Sequence, residues 1–184
     1  MLNIQLLPFP VLRTARLTLR QLTSTDAPVI QLFRSDPEFL RYIPRLPETT
    51  LAQAQAHLNL LDQLLRTNEG IAWGLCREER PEELLGTICL WQFQPENYRA
   101  EVGYGLHPAH GGQGLMTEAL EAVVHYAFGL LGLHSLEAHV DPANAASIRL
   151  LEKQGFVREG YFRENCYFQG RFLDSAVYSR LAPR

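Results

Sequence analysis

The chain has 184 residues, 46% hydrophobic and 20% charged, with a formal net charge of -3 at pH 7. This length carries one packed core, and the composition excludes a disordered or coiled-coil chain, so one domain over 1–184 is expected, its core within about 12–181. The charge supplies no basic face for a nucleic-acid backbone, and with Lys153 as the sole lysine a polyanion would meet arginine forks or backbone N–H groups.

The first ten residues carry no basic side chain and their apolar runs break at Pro8 and Pro10. Neither a signal peptide nor a membrane span is expected. Residues 11–22 alternate as a half-buried strand, with Leu17 and Leu19 on one face. Thr23 and Asp26 form a capping box ahead of a short helix that ends at Ser35-Asp36-Pro37. An aromatic, proline-punctuated loop or helical turn fills 36–48. Thr49 or Thr50 caps a long helix to about 68, with Ala54, Leu58, Leu61 and Leu65 in helical period and Gly70 closing it. Three strand-like runs follow, Ile71–Arg77, Leu84–Phe93 and Arg99–His107. The turns between them fall at Pro81-Glu82-Glu83 and Gln94-Pro95-Glu96-Asn97. A helix is predicted over 114–131, a strand over 134–140, a helix over 144–154 ended by Gly155, and two long strands around Gln169-Gly170. The order β-α-α-β-β-β-α-β-α-β-β implies an α+β fold with one mixed sheet. Cys76, Cys89 and Cys166 make no Cys-x-x-Cys pair, which points to reduced thiols in a cytoplasmic protein rather than a zinc knuckle or a disulfide framework.

The stretch that carries chemistry runs from Glu101 to Ala119. A strand ends at His107-Pro108, and Gly111-Gly112-Gln113-Gly114 leads straight into a helix. The first-turn N–H groups of a helix lack internal partners, the dipole is positive there, and glycines admit close approach. This is an anion site suited to a pyrophosphate; a plain strand–helix turn is the alternative. No Gly-Lys-Ser/Thr follows, so it is not a Walker loop, and the antiparallel strands before it do not make a Rossmann unit.

After the next strand comes Asp141-Pro142-Ala143-Asn144-Ala145-Ala146-Ser147, continuing to Lys153-Gln154-Gly155-Phe156. Together the two stretches resemble the GNAT acetyltransferases, in particular their ribosomal-protein N-terminal acetyltransferase branch. The family's Gln/Arg-x-x-Gly-x-Gly/Ala loop is matched by Gly112-Gln113-Gly114, while its first position falls on Ala109, a departure. Asn144, Ser147, Lys153, Gly155 and Phe156 match its Asn-x-x-Ser and Lys-x-Gly-Phe pattern. The strand starting Arg16–Arg20, the segment Ala100–Tyr104 and the tail Gly160–Glu164 agree as well. The resemblance spans about 12–181. It implies a GNAT fold in which the strands ending at His107 and at Val140 run parallel and splay into a V that holds acetyl-CoA. It places the pantetheine against the backbone of Leu106 and His107, and the pyrophosphate on the amides of Gly112, Gln113, Gly114, Leu115 and Met116. Thr117 would add a hydroxyl to a phosphate, and Asn144 would bond the pantetheine.

Acetyl transfer to an amine needs a neutral nucleophile and a proton for the leaving thiolate. Glu101 is the candidate base, acting through a water, with a salt-bridged strand carboxylate as the alternative. Ser147 is the candidate acid by analogy with the branch, against local helix hydrogen bonding; Tyr161 is a lesser candidate. An α-amine, with a pKa near 8, loses its proton at pH ~7.4 for under ~1 kcal/mol, whereas a lysine costs about 4 kcal/mol. That favours the N-terminal amine of a protein or peptide as acceptor. A small amine is the second enzyme reading, though the acidic residues of 36–48 and 158–172 are diluted by arginines. A CoA-binding module without catalysis is the third. The six histidines are not spaced as metal ligands, so no metal is expected. Trp73, Trp91, Phe39 and Tyr42 either line an acceptor pocket or belong to the core. No membrane partner is expected, and the chain is read as a monomer or homodimer.

Overall fold

The computed structural model describes residues 2–183. Its strands are β1 (Leu12–Arg13), β2 (Leu17–Gln21), β3 (Gly70–Arg77), β4 (Arg80–Gln94), β5 (Arg99–Leu106), β6 (Ser135–Val140), β7 (Val157–Phe168) and β8 (Arg171–Leu181). Its helices are α1 (Ala27–Ser35), α2 (Leu51–Arg66), α3 (Leu115–His125) and α4 (Ala145–Lys153). The strands form one sheet in the order β1-β2-β3-β4-β5-β6-β8-β7, antiparallel throughout except between β5 and β6. The mixed-sheet α+β architecture expected from the sequence is the one observed.

Period-2 alternation divides the side chains between two cores. On one face Trp73, Leu85, Ile88, Leu90 and Val102 pack against Leu115, Leu120 and Val123 of α3, with Ile4 and Leu6 of the N-terminal arm. On the other face Cys76 and Leu84 pack against Ile30 and Phe33 of α1 and Ala54 and Leu58 of α2. Trp73 is fully buried and donates its indole N–H to the Pro10 carbonyl at 2.7 Å, so it is core and not acceptor wall. The local signals at the helix starts hold. Asp26 accepts from the Thr23 N–H at 2.7 Å, Thr50 accepts from the Gln53 N–H, and Asn144 caps α4 through the Ser147 N–H at 3.1 Å.

Four boundaries differ from the sequence reading. The first strand breaks into β1 and β2, because Thr14 turns its hydroxyl onto the Leu17 N–H at 2.9 Å. Gly70 does not close α2; it opens β3, and Asn68 takes the left-handed position at φ 58°. The β3–β4 turn lies at Glu78-Glu79, so Pro81-Glu82-Glu83 belongs to β4, with Arg77 and Arg80 facing each other across the turn. The third helix ends as an α-helix at His125 and continues as a π-helical turn over Tyr126–Leu130. At the other end of the chain, Gln169 and Gly170 both have positive φ, 47° and 82°, the requirement of a two-residue hairpin turn.

One departure from regular pairing positions everything that follows. β5 pairs with β6 only at Arg99–Ser135, Ala100–Leu136 and Glu101–Glu137. On its other side β5 stays paired with β4 as far as Gly86–Leu106. The two parallel strands therefore part in the middle of the sheet, leaving one edge of β5 from Val102 to Leu106 without a strand partner. The β4 contact that holds this end of β5 in place is tight: a Cβ on Gly86 would fall 2.3 Å from the Gly105 carbonyl oxygen and 2.9 Å from the Leu106 Cα. Neither obstacle is a side chain that can rotate away. Gly86→Ala is expected to destabilise the fold by about 2–3 kcal/mol. At ~2–4 °C per kcal/mol that lowers the thermal midpoint by roughly 4–12 °C; an unchanged midpoint would contradict the tight β4–β5 contact.

Candidate functional site

The parting strands open a cleft of about 500 Å³. Its walls are Val102–Leu106 of β5 and Ala138–Val140 of β6, and its mouth is formed by the starts of α3 and α4. Because α3 follows β5 and α4 follows β6, both helices aim their positive N-terminal ends into the same opening.

At the α3 side, Pro108–His110 makes one 3-10 turn, and Gly112 and Gly114 both adopt left-handed backbone at φ 73° and 74°. The N–H groups of residues 112–117 have no hydrogen-bond partner among the described residues; the first amide of the helix to find one is Glu118, on the Gly114 carbonyl at 3.2 Å. A row of amides at a helix N-terminus is the expected receptor for a phosphate. Gly112, Gly114, Leu115, Met116 and Thr117 all line the cleft. The Gln113 side chain turns outward and accepts from Arg77 at 3.2 Å. Arg16 adds a positive charge that sequence reasoning missed: its guanidinium lies 3.5 Å from where a Gly114 Cβ would stand and pairs with Glu118 at 2.5 Å.

Leu106 lines the cleft; His107 does not. The His107 N–H bonds the Leu85 carbonyl at 2.9 Å, its carbonyl accepts from His110, and its ring rests against Phe33 with Asp36 at 3.8 Å. The open edge of β5 thus stops one residue short of His107. Phe39 anchors the 36–48 loop over this edge, pressed so closely on Gly105 that a Cβ there would meet the ring at 2.6 Å. Tyr42 also lines the cleft, while Trp91 is exposed on the Glu101 face of the sheet, its indole nitrogen 3.8 Å from where a Gly103 Cβ would stand.

Asn144 and Ser147 line the α4 side. The Ser147 hydroxyl lies 2.7 Å from that of Tyr104. Burial pushes the Tyr104 phenol up to about 12, with the Ser147 hydrogen bond pulling the other way. Tyr104 was absent from the sequence-based site. The signal was available in the alternation of Val102, Tyr104 and Leu106 on the cleft face, but nothing in the sequence placed residue 147 opposite residue 104. Tyr161 gives its hydroxyl to Asp174 at 2.5 Å, on the outer hairpin.

Glu101 shares the other face of β5 with Gly103 and Gly105. Across the register it stands between Trp91 and Glu137. Glu137 is neutralised by Arg99 and lies 2.6 Å from the His139 Nε2, whereas Glu101 has no ion pair among the described residues. Burial raises the Glu101 pKa, with the His139 charge and the Trp91 indole opposing that rise. Base and acid candidates therefore sit on opposite faces of one strand, with the unpaired edge between them. Among the described residues, no three His, Cys, Asp or Glu side chains come together as a metal site.

Comparison with known proteins agrees with this geometry. The family model described as an acetyltransferase (GNAT) domain matches residues 16–157. The uncharacterized N-acetyltransferase YoaA of Bacillus subtilis (strain 168) is 39% identical over 176 residues, covering 96% of this chain and 99% of that protein. The ribosomal-protein-serine acetyltransferase of Escherichia coli (strain K12) is 31% identical over 104 residues, 55% of this chain and 57% of that one. In fold, the chain is similar to the crystal structure of spermidine N-acetyltransferase from Vibrio cholerae in complex with CoA and spermine, with a TM-score of 0.81 and 24% identity over 92% of this chain and 97% of that one.

The environment of Glu101 sets the sign of a pH effect. Burial penalises the ionised form, so the folded chain holds this proton more tightly than the unfolded chain does. The group's contribution to stability is fully present below the ordinary carboxylate pKa of about 4.3 and is lost as the pH rises through the raised folded value. Glu101→Gln is expected to melt above wild type at pH ~7 and level with it near pH ~4. A variant that melts below wild type at neutral pH would contradict the burial of an unpaired carboxylate.

Proposed function

Because the chain belongs to the GNAT acetyltransferase family, and is thus an acetyl-transferring enzyme, we propose that it uses acetyl-CoA to acetylate the N-terminal α-amine of a protein or peptide. The observation that carries the cosubstrate reading is the continuity of two open surfaces, the unpaired edge of β5 and the partnerless amides of 112–117. A pantetheine arm is a chain of amides and pairs with a strand edge as a peptide does. The pyrophosphate then meets the α3 amides, with Arg16 beside them. Asn144 faces the arm from α4. Gln113 contributes backbone at most, since its side chain is engaged by Arg77, and both main-chain groups of His107 are engaged elsewhere, its N–H by Leu85 and its carbonyl by His110.

With the arm in the cleft, the thioester lies at the β5 edge near Gly103. The amine approaches from the face of Glu101, where Gly103 leaves space beside Trp91 and Cys89. Glu101, desolvated and unclamped, takes the ammonium proton through a water. Attack forms the C–N bond, and collapse breaks the C–S bond toward Ser147 at the positive end of α4.

Two points support an α-amine over a polyamine. A polycation wants a cluster of free carboxylates, and here Glu48 is taken by Arg34 and Glu137 by Arg99, so that of the acidic residues lining the cleft Glu38 and Asp141 are those without an ion pair among the described residues. A single water-linked carboxylate also suffices for a group with a pKa near 8.

At acetyl-CoA ~100-fold above its dissociation constant, the protein should gain about 2.7 kcal/mol, a rise of roughly 5–11 °C in thermal midpoint. Replacing Gly114, which holds a left-handed φ, with valine should abolish that rise; a preserved rise would remove the phosphate from this turn. With a panel of peptides beginning in Ser, Ala or Met set against spermidine and lysine, the peptides should be acetylated, and Glu101→Gln should slow them ~100-fold or more. Acetylation of spermidine alone would overturn the acceptor assignment.

A further inference from the structure

We infer that Tyr104 sets the direction of the Ser147 proton, and so positions the hydrogen-bond donor that meets the departing CoA sulfur. The inference rests on the reading of the cleft as the acetyl-CoA site. A serine hydroxyl has one proton, and it serves one acceptor at a time. Paired at 2.7 Å, the two hydroxyls have two possible senses. If Ser147 donates to Tyr104, the serine has no proton left for the sulfur, and the phenol proton is the one without a partner in the pair. If Tyr104 donates to Ser147, the serine proton is free to point at the sulfur.

Three features select the second sense. The phenol is the stronger acid of the two hydroxyls and hence the better donor. The Tyr104 ring packs against the main core, and among the described residues Ser147 is the only hydrogen-bond partner of its hydroxyl. A phenol proton that the filled cleft shuts off from water needs an acceptor, so the phenol keeps its proton on Ser147. Finally, Ser147 has little freedom of its own. Its N–H is fixed on the Asn144 side chain at 3.1 Å, which sets it in the first turn of α4 and leaves its side-chain torsions as the principal free variables. Tyr104 removes that freedom from one side, and the cleft lies on the other.

The proton balance is simple. As the tetrahedral adduct collapses, the C–S electron pair leaves on sulfur. The resulting thiolate accepts the Ser147 hydrogen bond in the field of the α4 N-terminus. The ammonium proton exits on the Glu101 face, the thiolate is reprotonated from solvent, and Ser147 and Tyr104 finish as neutral hydroxyls. Tyr104 touches neither substrate nor thioester in this scheme; it is a positioning residue.

Product CoA supplies a test that needs no acceptor. The ultraviolet absorbance of the thiolate, titrated against pH for CoA bound to the protein and corrected for the protein alone, reads the pKa of the bound thiol. Ser147→Ala should raise that pKa by about one unit, the worth of one hydrogen bond to a charged group. Tyr104→Phe, which keeps the ring, should raise it by part of that shift and leave CoA affinity within about twofold by calorimetry. The double variant should match Ser147→Ala alone. A Tyr104→Phe titration that superimposes on wild type while Ser147→Ala shifts would overturn this inference and spare the role of Ser147. Additive shifts in the double variant would overturn it too, because Tyr104 would then act independently of Ser147. No shift in either variant would overturn both this inference and the placement of Ser147 at the sulfur.

Discussion

The early end of the β5–β6 pairing is the constraint on which the site depends. Backbone N–H and C=O groups in the middle of a sheet are normally consumed by neighbouring strands. Here β5 is held by β4 along its length and released by β6 after Glu101, so main-chain groups in the centre of an eight-stranded sheet face a cleft. The same parting brings two helix N-termini to one opening. Had the strands stayed paired to Leu106 and Val140, the turn at Gly111–Gly114 would be an isolated anion site, and Asn144 and Ser147 would cap a helix against a closed sheet.

The alternation of β5 then divides the chemistry. Val102, Tyr104 and Leu106 belong to the α3 and α4 side, where the acyl carrier and its sulfur are proposed to lie. Glu101, Gly103 and Gly105 belong to the α1 and α2 side, where the amine is proposed to enter. The two glycines leave that second face without side chains. Phe39 fills the space over Gly105, and the space over Gly103 is bounded by Cys89 and Trp91. Electrostatics follows the same division. Of two adjacent carboxylates, Glu137 is clamped by the Arg99 cation and Glu101 is left desolvated, and the second state is the one that suits a base.

Much of this architecture was legible before any coordinates. Helix starts were readable because caps are local: Thr23 with Asp26, Thr50 with Gln53, and Asn144 with Ser147 each act within four residues. The glycine turn before α3 was readable for the same reason. The errors fall where a distant contact or a competing local bond decides. Pro81 looked like a turn residue, yet β3 extends beside it and carries it as strand, leaving the turn to two glutamates with no turn signature. Asn68 took the left-handed position expected of Gly70, which is already paired with Trp91 as the first residue of β3. Within the site, Tyr104 was invisible because its partner lies 43 residues away on a helix whose rotation no sequence pattern fixes. Arg16 was hidden similarly, reaching Glu118 across the fold.

Amide hydrogen exchange with and without acetyl-CoA tests the central claim most directly, because the claim concerns particular backbone groups. The account predicts that the ligand slows exchange at two segments far apart in sequence, the β5 edge over 103–106 and the turn and helix start over 112–117, with a smaller effect around 144–147. Slowing confined to other segments, or none at 103–106 and 112–117 in a protein saturated with acetyl-CoA, would contradict the assignment of the open strand edge as the binding surface.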